Sequence, residues 1–209
     1  MKKRTLFYAV CSLITFVLWT LIVSYVDIQP IGPNGSCVGL ASINDSFHRW
    51  TGVHMRLYTL TDWLSLIPLG IITGFALLGL LQWIKRKQLF AVDRSILVLG
   101  GFYILVLAVF VFFEKVPINY RPVLIDGVLE ESYPSSTTLL VLCVMSTAAL
   151  QLKERIKNSA LRKFLLLIII AFTAFMVFGR LISGVHWFSD IIAGALLSTG
   201  LILLYDAIA

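Results

Sequence analysis

Charge is scarce in this sequence. Asp, Glu, Lys and Arg make up 13% of its 209 residues, about half the share usual in soluble domains. Hydrophobic residues make up 59% and the mean hydropathy is +0.93. A soluble chain of this length has too little interior to hide that much apolar surface. A cytosolic enzyme and a disordered regulator are thereby excluded. Cysteine is equally sparse: Cys11 and Cys143 lie in apolar runs and Cys37 stands alone in a polar stretch. No disulfide framework and no CxxC metal motif exists. Three histidines, His48, His54 and His186, are too few for the four axial ligands of two membrane haems.

What is abundant is long apolar runs. Six approach or exceed the 17–25 residues that cross a bilayer: Leu6–Val26, Leu64–Ile84, Ile96–Phe113, Pro134–Leu152, Phe164–Ile182 and Phe188–Tyr205. Isolated strands cannot satisfy their backbone in lipid, so the runs read as helices. The expectation is an all-α, polytopic six-helix bundle formed as a single domain over residues 1–209. Met1-Lys2-Lys3-Arg4 before an apolar run resembles a secretory signal. The run is long and no small-x-small cleavage site follows, so it reads as a retained first span.

The positive-inside rule sets the orientation. With both termini cytoplasmic, the inner segments hold twelve basic and three acidic residues, net +9, and the outer ones five basic and eight acidic, net −3. The isoelectric point near 9.4 is then a topology signal, and no nucleic-acid partner is implied. The outer segments are Asp27–Asp62, read as partly interfacial, Glu114–Tyr133, and the turn Arg180–Trp187.

An ionisable group at membrane depth is a functional candidate, and the outer boundary carries three polar patches. Lys115, Arg121 and Arg180 supply three cations, and a guanidinium fork suits phosphate oxygens. Pro134-Ser135-Ser136-Thr137 places hydroxyls and free N–H groups at a helix start, a ready anion site. His186 and Asp190 lie four apart, on one helix face if the sixth span starts near His186. A carboxylate on one ring nitrogen fixes the tautomer and frees the other nitrogen to attack. Taken singly these are ordinary residues: snorkelling cations, a cap, a helix-start acid. Together they describe a phosphoryl-transfer site. Their place at one boundary argues against a transporter, whose binding groups gather near the midplane.

These residues resemble the type-2 phosphatidic acid phosphatase superfamily of membrane lipid phosphatases. Its signature is Lys-x6-Arg-Pro, Pro-Ser-Gly-His and Ser-Arg-x5-His-x3-Asp. Arg180-x5-His186-x3-Asp190 keeps the third spacing throughout. The resemblance implies that His186 is a nucleophile forming a phosphohistidine, oriented by Asp190, with the phosphate held by Arg121 and Arg180. It also implies a site on the extracytoplasmic face of a bacterial cell membrane, no cofactor and no metal. The substrate would be a lipid phosphate or a polyprenyl diphosphate such as undecaprenyl diphosphate. The bilayer is the remaining partner, and the oligomeric state is left open.

Three departures stand out. Lys115 is one residue out of register, with Glu114 in the usual place, and Gly179 replaces the Ser before Arg180. Thr137 replaces the second motif's His, the family's general acid. Loss of a general acid typically costs about 10²–10⁴ in rate. Three readings follow. Another residue supplies the proton, His48 or His54 before Tyr120 or Tyr133. The substrate is a diphosphate, whose lipid-phosphate leaving group needs less acid than a lipid alkoxide. Or the chain is a degenerate, non-catalytic lipid-phosphate binder, with phosphotransfer a further alternative.

Overall fold

The structure is a computed structural model and describes residues 2–209. Eight α-helices follow in order: α1 Lys2–Tyr25, α2 Ala41–Thr51, α3 Met55–Leu64, α4 Leu66–Arg86, α5 Arg94–Lys115, α6 Ser136–Arg155, α7 Ser159–Ile182 and α8 Phe188–Ile208. Among the described residues no strand forms; the β-geometry is three isolated antiparallel bridges, Gln29 with Val38, Tyr120 with Glu131 and Ile125 with Val128. Six helical stretches are long and apolar enough to span a membrane, with α3 and α4 counting as one over Met55–Arg86. The protein is an all-helical integral membrane protein.

Capping explains where several spans begin. The Ser135 hydroxyl accepts from the Thr138 N–H at the start of α6, and the Asn158 side chain accepts from Ala160 and Leu161 at the start of α7. Asp190 accepts from the Trp187 N–H at the start of α8. Each cap satisfies donors that a helix start leaves free. The second span differs from the sequence expectation. The apolar run starts at Leu64, but helix begins nine residues earlier at Met55 and carries Arg56 and Asp62 with it. Ser65 joins α3 to α4 in right-handed helical geometry. Pro68 marks the joint, because it lacks the N–H that would bond to residue 64 and its ring crowds that carbonyl.

The bundle centres on α6 and α8. More than half of the apolar window of α6 is buried, 56%, against 6% for α3–α4, which lies at the periphery. One core joins α1, α5, α6 and α8 through Phe16, Leu99, Phe102, Leu139, Leu197 and Tyr205. A smaller one joins α6 to α7 through Val141, Met145 and Met176. Polar hydrogen bonds reinforce the α1–α8 seam: Ser12 donates to the Leu196 carbonyl at 3.0 Å and Trp19 Nε1 to the Ser189 carbonyl at 3.1 Å. Where water is absent, such bonds replace the hydrophobic drive between helices.

The segment between α1 and α3 folds back onto the bundle. The Leu40 and Ala41 N–H groups donate to the carbonyls of Val26 and Asp27. The Ser42 N–H donates to the Asp27 carboxylate at 2.7 Å, and that bond above all holds the Asp27 carboxyl below its usual range. Gly39 lies so near α1 that a Cβ there would sit 1.6 Å from the Val23 carbonyl oxygen. At the opposite end of the bundle Asp93 joins α4, α5 and α6. It accepts from Gln82 at 2.8 Å and pairs with Arg86 at 3.0 Å and Arg155 at 3.6 Å.

These contacts separate two glycines by experiment. Gly39→Ala must move backbone and is expected to destabilise by about 3 kcal/mol, the upper part of the overpacking range. Gly70→Ala, on α4 with open space around it, is expected to be neutral or slightly stabilising. Thermal unfolding of the two variants in detergent checks this.

Candidate active site

The C-terminal ends of α5 and α7, the N-terminal ends of α6 and α8, and α3 meet at one end of the bundle. The connection 116–135 and the turn 183–187 close over it. At its centre is Asp190, fully buried in the first turn of α8. One carboxylate oxygen accepts from Asn119 Nδ2 at 3.2 Å and Ser189 Oγ at 3.3 Å. The other accepts from Ser132 Oγ at 2.5 Å and the Trp187 N–H at 3.0 Å. Four donors compensate for taking this carboxylate out of water.

His186 is the next link. The sequence reading paired it directly with Asp190; in the structure Ser132 stands between them. His186 Nδ1 lies 3.0 Å from Ser132 Oγ and 3.2 Å from the Ser132 carbonyl. A carbonyl only accepts, and the Ser132 proton goes to Asp190, so Nδ1 carries the ring proton. The tautomer is therefore set by partners rather than seen. The lone pair is on Nε2, where Arg121 Nη1 donates to it at 3.2 Å. Burial first, then the charges of Arg121 and Arg180, push the imidazole well below the usual histidine value. A neutral imidazole with its far nitrogen anchored has the form of a nucleophile.

Two guanidiniums flank it. Arg121 pairs with Glu130 at 2.9 Å. Arg180 is 2% exposed; its Nη2 donates to Asp62 Oδ1 at 2.9 Å and to Thr137 Oγ1 at 2.6 Å. Its Nε and Nη1 have no partner among the described residues. Buried, unpaired donors of this kind suit an anion. The Tyr58 ring of α3 lies 4.7 Å from the Arg180 guanidinium and 5.8 Å from that of Arg121, so one aromatic ring serves both cations.

The other sequence candidates fall in different places. Ser135 is buried and occupied as the α6 cap. Ser136 and Thr137 line a cavity of about 1020 Å³ that also takes in Asp62, Arg121 and Arg180 and then runs between α4 and α5 as far as Trp83 and Val92. A second cavity of about 290 Å³ shares Arg121 and Ser136 with the first and is bounded by Glu114, Glu130, Glu131 and Ser132. Lys115 is exposed at the end of α5, lines neither cavity, and its side chain has no hydrogen bond or ion pair among the described residues. His48 bonds the Gly184 carbonyl at 3.1 Å and packs on Trp187; His54 is exposed and bonds the Thr51 carbonyl at 2.9 Å. Neither lines a cavity. Tyr120 gives its carbonyl to Trp187, and the Tyr133 hydroxyl meets Thr20 at 2.7 Å, where burial raises its pKa.

Asp62, Tyr58, Asn119, Ser132 and Glu130 were not singled out from sequence. Asp62 had a usable signal, an acid at the edge of an apolar run. The Ser-to-Gly departure at Gly179 has a local cause: a Cβ there would lie 2.8 Å from Thr61 Cγ2, one residue from Asp62.

Residues 101–208, just over half the chain, match the PAP2 superfamily. The chain belongs to that superfamily. This PAP2 match runs from within α5 through α8 and leaves α1 to α4 outside. A crystal structure of a transmembrane PAP2-type phosphatidylglycerolphosphate phosphatase from Bacillus subtilis shares the fold. Its TM-score is 0.51 and its identity 18%, with 95% of this chain and 93% of that one covered. No curated protein matches the chain.

The His186 environment has a measurable consequence. The folded chain holds this ring neutral below the pH at which an unfolded histidine, near 6.5, takes up a proton. Stability from this group is whole above pH 6.5 and is lost as the pH falls below it. By pH 5.5 the wild type is expected to lose more stability than His186→Gln, by at most about 1.4 kcal/mol. Paired unfolding curves at pH 7.5 and 5.5 give that difference.

Proposed function

We propose that this protein is a membrane phosphatase that removes phosphate from a lipid diphosphate or lipid phosphate through a phosphohistidine on His186. The observation that carries this reading is the joining of two chemistries in one cavity. Arg121 and Arg180 line it at one end, the neutral, Nδ1-anchored His186 stands directly behind with its Nε2 3.2 Å from Arg121, and an apolar cleft leads away from the two guanidiniums. The lining of α4 between Leu69 and Trp83 extends about 21 Å at 1.5 Å per residue, which fits a lipid tail beside a phosphate headgroup.

In the proposed reaction Arg121 leaves Nε2 for the phosphate oxygens and Arg180 offers its two unpaired N–H groups. Nε2 attacks phosphorus and the bond to the leaving oxygen breaks. Positive charge then develops on the ring, and the Nδ1–H to Ser132 to Asp190 chain balances it. Negative charge on the phosphoryl group is met by the two arginines, the stabilisation a metal gives in other enzymes. Water next displaces the histidine and releases phosphate.

A lipid diphosphate is the preferred substrate in this reading, because it expels a phosphate monoester. The family's general-acid position holds Thr137, whose hydroxyl already accepts from Arg180. The extracytoplasmic face is supported by the opposite end of the bundle. Lys85, Arg86, Lys87, Arg94, Lys153, Arg155, Lys157, Arg162 and Lys163 lie at the helix ends away from the site, as cytoplasmic loops require.

Purified protein is expected to release phosphate from a polyprenyl diphosphate faster than from phosphatidate and to do so in EDTA. His186→Ala should abolish release, and Ser132→Ala should lower kcat by about 10²-fold through misplacement of the ring. Gly101→Phe, in the cleft wall, should raise KM for the long-tailed substrate and leave a short-chain soluble diphosphate unaffected. Full release by His186→Ala would overturn the mechanism.

A further inference from the structure

On the phosphohistidine reading, the second half-reaction needs a group that takes a proton from the attacking water, and Thr137 cannot do so. We infer that Asp62 of α3 is that group. One nitrogen, Arg180 Nη2, donates to both Thr137 Oγ1 and Asp62 Oδ1. The carboxylate thus stands one shared donor away from the position where the family places its histidine. Asp62 lines the large cavity with Thr137 and Arg180, the cavity that water would enter on this reading once the lipid phosphate departs. Its side chain is 56% exposed, against 3% for that of Arg180, so a proton placed on it passes directly to solvent.

The other acids are less suited. Asp190 is fully buried and accepts four hydrogen bonds. Glu130 is held by Arg121 and lines the smaller cavity but not the large one. His48 and His54 line neither cavity.

The step balances without a further reactant. The water oxygen forms a bond to phosphorus while the Nε2–P bond breaks. The bonding pair returns to Nε2, the water proton goes to an Asp62 oxygen, and inorganic phosphate leaves. Asp62 serves as base only. The first step needs less acid when the leaving group is a lipid phosphate, so Thr137 in place of the family's histidine and Asp62 as the base belong together in this reading.

The test uses full-length protein in detergent and a polyprenyl diphosphate with a radiolabelled terminal phosphate. Asp62→Asn keeps an oxygen for Arg180 and removes the base. It is expected to release one equivalent of lipid phosphate in a burst. Acid-labile, alkali-stable label should then accumulate on the protein, with turnover lowered by about 10²–10⁴-fold. Asp62→Glu should retain faster loss of label than Asp62→Asn, and Thr137→His added to Asp62→Asn should restore turnover in part. Loss of the burst in Asp62→Asn with an unchanged unfolding temperature would overturn the proposal and leave Asp62 as a holder of Arg180. Undiminished turnover in Asp62→Asn would overturn it as well. Should Asp62→Asn not fold, Asp62→Glu decides: label lost no faster than spontaneous hydrolysis of the denatured phosphoprotein overturns the assignment. Wild-type protein that turns over but never carries label would instead sink the phosphohistidine reading itself.

Discussion

The arrangement at this end of the bundle depends on one buried carboxylate. Asp190 is fully buried with no cation in hydrogen-bond contact among the described residues; what keeps it in place is four donors from four residues. Those residues belong to different parts of the chain. Trp187 and Ser189 fix the start of α8, and Asn119 and Ser132 fix both ends of the connection from α5 to α6. The Asp190 backbone carbonyl accepts from the Ser135 N–H at 3.0 Å, which sets α6 against α8. A half-satisfied buried network costs more than an apolar core, so each donor has to be where it is. The histidine tautomer is a by-product of that requirement, since Ser132 can give its proton only once and gives it to Asp190.

The segment before α3 extends this network outward. Asn119 accepts from the Gly39 N–H at 3.1 Å, and Asn44 bonds Ser189 with both ends of its amide. The stretch between α1 and α3 is therefore scaffold: α2 and the Gly39 turn are hydrogen-bonded into the site's outer shell. Its continuation α3 reaches the site itself, with Tyr58 against both guanidiniums and Asp62 on Arg180. The close approach of Thr61 to Gly179 lets α3 lie there. A serine at that position, as in the family pattern, would press on the Thr61 side chain, next to Asp62.

How much of this was legible in the sequence follows from which signals are local. The spans were legible because lipid demands long apolar runs, and the shift at Met55 arose because backbone helicity does not stop where apolarity does. The nearness of Arg180 and His186 was legible by spacing, since the end of α7 and the short turn before α8 hold them close together, whereas Arg121 comes to His186 from the connection between α5 and α6. Ser132 and Asn119 were not. A serine and an asparagine in a loop carry no period, and only the fold brings them within reach of a carboxylate some sixty to seventy residues on. Lys115 shows the converse: charge and approximate register suggested phosphate binding, yet a long side chain at a helix end is equally at home in solvent.

The charges also explain how such a site could discriminate on the proposed reading. Without substrate, the only lone pair on His186 is covered by Arg121, which Glu130 holds from the other side. A headgroup reaches Nε2 only by drawing Arg121 off, and this takes negative charge concentrated on phosphate oxygens. A zwitterionic lipid brings a single phosphodiester charge offset by its own cation, whereas a terminal phosphate brings nearly two with three free oxygens. The unpaired N–H groups of Arg180 favour the same ligand, because bidentate donors are best used by oxygens that no ester blocks. Selectivity among the lipids of a membrane then comes from a contact that must be broken as much as from those that are formed.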